Sequence, residues 1–215
     1  MNNKTKLFAG ILVFGSLWGF SECIIGPKIS DAGLPSGVIM TGLFAMIFLT
    51  MSRMLYRERG MQIGMGLTAG ALRLFNPFGG CHVCSALAIM AEGMIFELIW
   101  TYATDLDLKN LESLTMKTSL GIFTAYCVYV GGYMITQILT PLSYGKFYFE
   151  NLLALTPQIF ASGLLVALIG GITIPAVLSI RKIDLTIKDA LYYPATLGIS
   201  VLCWLIVVGN YLMLA

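Results

Sequence analysis

The stretch IFASGLLVALIGGITIPAVLSI, residues 159–180, carries no charged side chain from one end to the other. A helix needs about 20 apolar residues to cross the hydrocarbon of a bilayer, and this run is long enough. It is continuously apolar rather than alternating, which does not fit a transmembrane β-strand. Comparable runs recur along the chain, divided by charged or Pro/Gly-rich breaks. They set seven expected spans, at 7–25, 38–55, 61–75, 85–104, 116–139, 159–180 and 195–215. The third is short, and merging it with the turn at 76–84 would leave six. Residues 1–215 therefore read as one integral membrane domain, an all-α, polytopic transmembrane helix bundle of 6–7 spans.

Composition agrees. The chain is 58% hydrophobic and only 11% charged, against roughly 25% charged in ordinary globular proteins. A mean hydropathy of +0.85 leaves too little polar surface for a water-soluble fold. The net charge of +2, with no basic cluster interleaved with aromatics, points to no nucleic-acid partner. The opening MNNKTKLFAGILVFGSLWGF has the basic start and apolar run of a signal peptide. Its apolar run continues to Ile25 and no A-x-A site follows, so it is expected to stay as the first span.

Lysine and arginine orient the bundle, because cytoplasmic loops collect them. With the N-terminus cytoplasmic, the inner side holds Lys4, Lys6, Arg53, Arg57, Arg59, Lys109, Lys117, Arg181, Lys182 and Lys188. Only Lys28 and Lys146 fall in outer loops, and Arg73 lies within a span. The outer loops are then 26–37, 76–84 and 140–158, and seven spans leave the C-terminus outside. The aromatic stretch at 144–157 is expected to lie along the membrane interface or to fold over a pocket. The location this implies is the cell membrane.

Polar residues inside spans are costly, by about 2.5–3.5 kcal/mol each at a helix centre, so each should face the interior with a partner. Glu22, Arg73 and Glu92 fall in the outer half, together with Asn76 and His82. A ligand-facing cavity and a simple Arg73–glutamate ion pair both account for them. Glu97 follows Glu92 by five residues, about 140° around the helix. It is expected to contact another helix or a partner subunit instead.

Of the five cysteines, Cys127 and Cys203 sit in apolar runs as core residues. Cys23, Cys81 and Cys84 map to the outer side, where three chemistries stay open. They can form a structural disulfide. Cys81, His82 and Cys84, with Cys23 as a fourth ligand, can hold a metal or a metal-containing ligand. Cys81 and Cys84 can also cycle as a redox pair. Gly15 and Gly19 form a GxxxG pattern, which lets helices approach closely, within the bundle or against a partner. Trp18 and Trp100 are candidates to stack on a flat ligand, or to anchor at the interface.

GSLWGFSECIIG (15–26), GLPSGVI (33–39), AGALRLFNPFGG (69–80) and ALAIMAEGMIFELI (86–99) resemble the small substrate-capture (S) components of energy-coupling factor importers of vitamins and metals. The resemblance covers about the first half of the chain. It implies a six-helix bundle with an outer pocket for a small solute, closed by outer loops. It also implies docking through Gly15 and Gly19 onto a transmembrane coupling subunit driven by ATPases. Glu22, Arg73, Asn76, His82 and Glu92 then become the expected ligand contacts. Two features depart from that family: seven spans with an outer C-terminus, and no histidine in the opening MNNKTK, where the metal-importing branch has one. A vitamin-like or tetrapyrrole ligand fits as well as a metal. No Walker motif occurs, so ATP hydrolysis would belong to partners. Two other classes remain: a membrane thiol–disulfide oxidoreductase using Cys81 and Cys84 with a quinone, and a structural subunit of a larger membrane complex.

Overall fold

The computed structural model describes residues 3–76, 82–103, 111, 113–143, 149–180 and 189–214. Among them there are helices and short connections and no strand. The order is α1 (Asn3–Phe20), a π-helical turn (Ser21–Ile25), α2 (Gly26–Asp31), α3 (Ser36–Ile39), a second π-helical turn (Met40–Ala45) and α4 (Met46–Leu55). Then come α5 (Met61–Arg73), α6 (His82–Glu97) with a π-helical end (Leu98–Ala103), α7 (Leu114–Ser143), α8 (Phe149–Ser179) and α9 (Asp189–Leu214). Among the described residues six helical segments are long and apolar enough to cross a membrane. The protein is an all-α, polytopic bundle of the integral membrane class.

The remaining expected span, 61–75, is α5, and it is the exception. Its 13 residues reach only about 20 Å, short of the roughly 30 Å hydrocarbon core. It is held between α1 and α6. Thr68 and the Met65 carbonyl stand where a Cβ on Gly15 would be, and Leu72 and Ala69 do the same at Gly19. Both glycines are buried inside the chain. The expectation that they dock a partner is thereby corrected: the missing side chains let α1 and α5 approach backbone to backbone.

The start of α5 is capped from a distance. The first N–H groups of any helix lack intrahelical partners. Here the Glu97 carboxylate, at the end of α6, accepts from three of them. Gly60 N–H donates to Oε1, while Gln62 and Ile63 N–H donate to Oε2 at 3.1 and 3.0 Å. Gly60 turns the chain into the helix at φ 86°, a left-handed conformation that glycine adopts without steric cost. Glu97 is fully buried and serves as the expected contact to another helix.

Several boundaries move. The expected outer loop 26–37 is helical up to Asp31, because Pro27 lies in the first turn of α2, where its missing N–H costs nothing. Only residues 32–35 are non-helical, with Gly33 in a left-handed turn at φ 73°. The segment expected at the interface or over a pocket is, from Phe149 on, the first part of α8, and the helix continues through Pro157. Proline is tolerated in membrane helices where neighbouring groups satisfy the freed carbonyl. Residues 144–148 lie outside the described set.

Trp18 and Trp100 are fully buried core residues. Trp100 stacks on Phe96 with ring centroids 4.7 Å apart, and its Nε1 donates to Thr124 Oγ1 at 3.0 Å. The outward faces of α8 and α9 are apolar instead: Leu168 is 63% exposed, Ile172 75% and Leu212 72%. Lipid hydrocarbon suits such faces.

Contacts of α9 fix the helix count. Its Tyr192 hydroxyl donates to the Lys6 carbonyl near the start of α1 at 3.4 Å. Trp204 Nε1 donates to Ser16 Oγ at 3.2 Å. Tyr211, near the end of α9, packs edge-on against Phe75, just past the end of α5. Helices α1, α5 and α9 therefore run the same way, and Asn3 and Leu214 lie at opposite ends of the bundle. A reporter that is active on one side of the membrane only should give opposite readouts when fused to the two termini. The same readout from both would mean that α5 does not cross.

Candidate functional site

At the end of the bundle where α1 and α5 finish lies a cavity of ≈ 560 Å³. Four of the five expected ligand contacts line it: Glu22, Arg73, Asn76 and Glu92. The fifth, His82, opens α6, and its side chain lies outside the described set, as does Cys81.

Two π-helical turns face this cavity. In a π-helix the hydrogen bond runs from i to i+5, which inserts an extra residue into the turn and re-aims the side chains; such turns concentrate at functional sites. The first carries Glu22, and the second carries Met40 and Thr41. Arg73 ties the first turn to α5, since its Nη1 donates to the Glu22 backbone carbonyl at 2.9 Å. The Cys23 thiol adds a weaker tie, donating to the Leu72 carbonyl at 3.6 Å. Arg73 thus sits at the C-terminal end of α5, where a cation suits the helix dipole. The contact runs from the guanidinium to the Glu22 main chain.

Glu92 is 3% exposed and receives one hydrogen bond, from Thr41 Oγ1 to Oε1 at 2.7 Å. Its Oε2 has no partner among the described residues, and neither does Arg73 Nε. Gly132 gives the Glu92 side chain room on α7, since a Cβ there would lie 3.0 Å from Glu92 Cγ. Two residues that line the cavity thus each carry one buried polar atom without a partner among the described residues, an acceptor on Glu92 and a donor on Arg73.

The cysteines separate. Cys84 lines the cavity and is disulfide-bonded. Cys23, Cys127 and Cys203 are free thiols. A sulfur in a disulfide offers no thiolate, so in this form Cys84 does not serve as the expected metal ligand. Cys23 points its thiol at a backbone carbonyl. Among the described residues no three His, Cys, Asp or Glu side chains converge as metal ligands would.

Asp31, Thr41, Tyr133 and Gln137 also line the cavity and were not anticipated. Part of that signal was present in the sequence. Tyr129, Tyr133 and Gln137 recur every four residues along an otherwise apolar run, a polar stripe on one helix face. In the structure Tyr129 and Tyr133 stand ring to ring, with centroids 4.5 Å apart. Thr41 is aimed by its π-helical turn, which no periodicity foretells.

No protein-family model matches this chain, and no curated protein and no solved structure matches it either.

Thr41→Val keeps the shape of the side chain and removes the donor to Glu92. Leaving a buried carboxylate without its hydrogen bond should cost about 1–3 kcal/mol. Thermal unfolding in detergent should show this loss for Thr41→Val and little change for Thr41→Ser.

Proposed function

We propose that this chain is a non-enzymatic, membrane-embedded binding subunit that captures a small solute from outside the cell for ATP-driven uptake. The observation that carries the reading is the ≈ 560 Å³ cavity, lined by Glu22 from the first π-helical turn, Arg73 and Asn76 at and just past the end of α5, and Glu92 from α6. Its volume suits a small-molecule ligand. Ionisable groups at membrane depth favour a functional role over a structural one. The lysine and arginine count puts the cavity end on the outer face of the cell membrane, with the N-terminus in the cytoplasm. His82 and the Cys84 disulfide would stand at the mouth.

Energy would come from a transmembrane coupling subunit and its ATPases, as the resemblance to S components implies. The docking surface would differ from the one that resemblance suggests, because Gly15 and Gly19 are occupied by α5. A metal-containing ligand held partly at the Cys81–Cys84 segment remains within this reading only if the disulfide is first reduced.

One observation favours a second reading. Cys84 borders the cavity as a disulfide, which is also the oxidised form of a quinone-coupled thiol oxidoreductase. Affinity purification of the tagged chain from its own membranes under mild detergent separates the two. Solute capture predicts that an ATPase and a coupling subunit co-purify, and that native mass spectrometry shows a bound small molecule. A bare, empty chain whose Cys81 and Cys84 turn over with added quinone would contradict it.

A further inference from the structure

We infer that the captured solute is an organic cation, carrying protonated N–H donors at one end and a hydrogen-bond acceptor at the other. This rests on the solute-capture reading and names its substrate class. Three carboxylates, Glu22, Asp31 and Glu92, line the cavity against one guanidinium, Arg73. Arg73 Nη1 is turned to the Glu22 main chain, while Glu92 takes its hydrogen bond from Thr41. Glu92 is 3% exposed, Thr41 occupies only its Oε1, and its Oε2 has no partner among the described residues.

A buried carboxylate oxygen without a donor is costly, and a donor with its own positive charge offsets that cost best. An anionic solute would instead meet three acidic side chains and one guanidinium already turned to the Glu22 main chain. A bare metal ion would need several converging ligands, and among the described residues no three His, Cys, Asp or Glu converge. Arg73 Nε is the counterpart: a buried donor without an acceptor among the described residues, on another residue that lines the cavity. A hydroxyl, carbonyl or carboxylate on the far end of the solute satisfies it. The cation goes to Glu92 and the acceptor to Arg73, which fixes the orientation of the bound molecule.

Three probes of similar length test this on the purified full chain in detergent: 4-aminobutan-1-ol, butane-1,4-diol and 4-hydroxybutanoate. They differ in a terminal ammonium, hydroxyl or carboxylate. The ammonium should raise the unfolding temperature at concentrations about 10- to 100-fold lower than the other two, the ratio expected for a charged hydrogen bond. Glu92→Gln, close in shape, should erase that preference. Equal effects of all three probes, or a preference for the carboxylate, would overturn the inference.

Native mass spectrometry of the wild-type chain, which needs no variant to fold, gives the second arm. A bound molecule with a protonatable nitrogen supports the assignment. A bound acid or neutral molecule overturns the class and leaves solute capture standing. No bound molecule and no stabilisation by any probe would remove the capture reading as well.

Discussion

Helix α5 has 13 residues and a length of about 20 Å, while its neighbours are long enough for a full bilayer. Its start is therefore met by a neighbouring helix, and its finish falls short of the end of the α1 segment. At the start, the buried Glu97 carboxylate accepts the N–H groups of Gly60, Gln62 and Ile63. At the finish, α5 stops at Arg73 while α1, through its π-helical turn, continues to Asp31. The space above the end of the short helix is the cavity. Tight contacts at Gly15 and Gly19 hold α5 in place against α1, so packing and cavity have one origin.

Polar chemistry collects where this gap opens. Much of the rest of the interior is filled by apolar side chains, among them Trp18, Met46, Met65 and Phe96, all fully buried, with the Glu97 cap on α5 as a second polar cluster. Around the gap, Thr41, Arg73 and Glu92 come from three different segments and are cross-linked by only a few hydrogen bonds. Fully satisfied networks rigidify a fold; partly satisfied ones leave bonding capacity for something else. Glu92 Oε2 and Arg73 Nε are that spare capacity.

The class of the fold was legible because bilayer thickness writes itself into run length, as residues 159–180 show most clearly. The gathering of Glu22, Arg73 and Glu92 at one end of the bundle was equally legible, since charge at membrane depth is rare enough to stand out. Three things were not. The π-helical turns at Ser21–Ile25 and Met40–Ala45 leave no mark in hydrophobic pattern, so Thr41 was missed. The role of GxxxG is ambiguous by nature: Gly15 and Gly19 signal a close helix approach and not which helix approaches. Proline and the mixed stretches at 26–37 and 140–158 suggested loops, yet Pro27 and Pro157 sit where a helix tolerates them.

The central claim is that the polar gap beyond α5 is a binding site. An experimental structure of the chain isolated gently from its own membranes tests this most directly. The account predicts density for one small molecule in the cavity, touching Glu92 on one side and Arg73 on the other. A collapsed cavity, with the Arg73 and Glu92 side chains paired to each other and nothing between them, would contradict it.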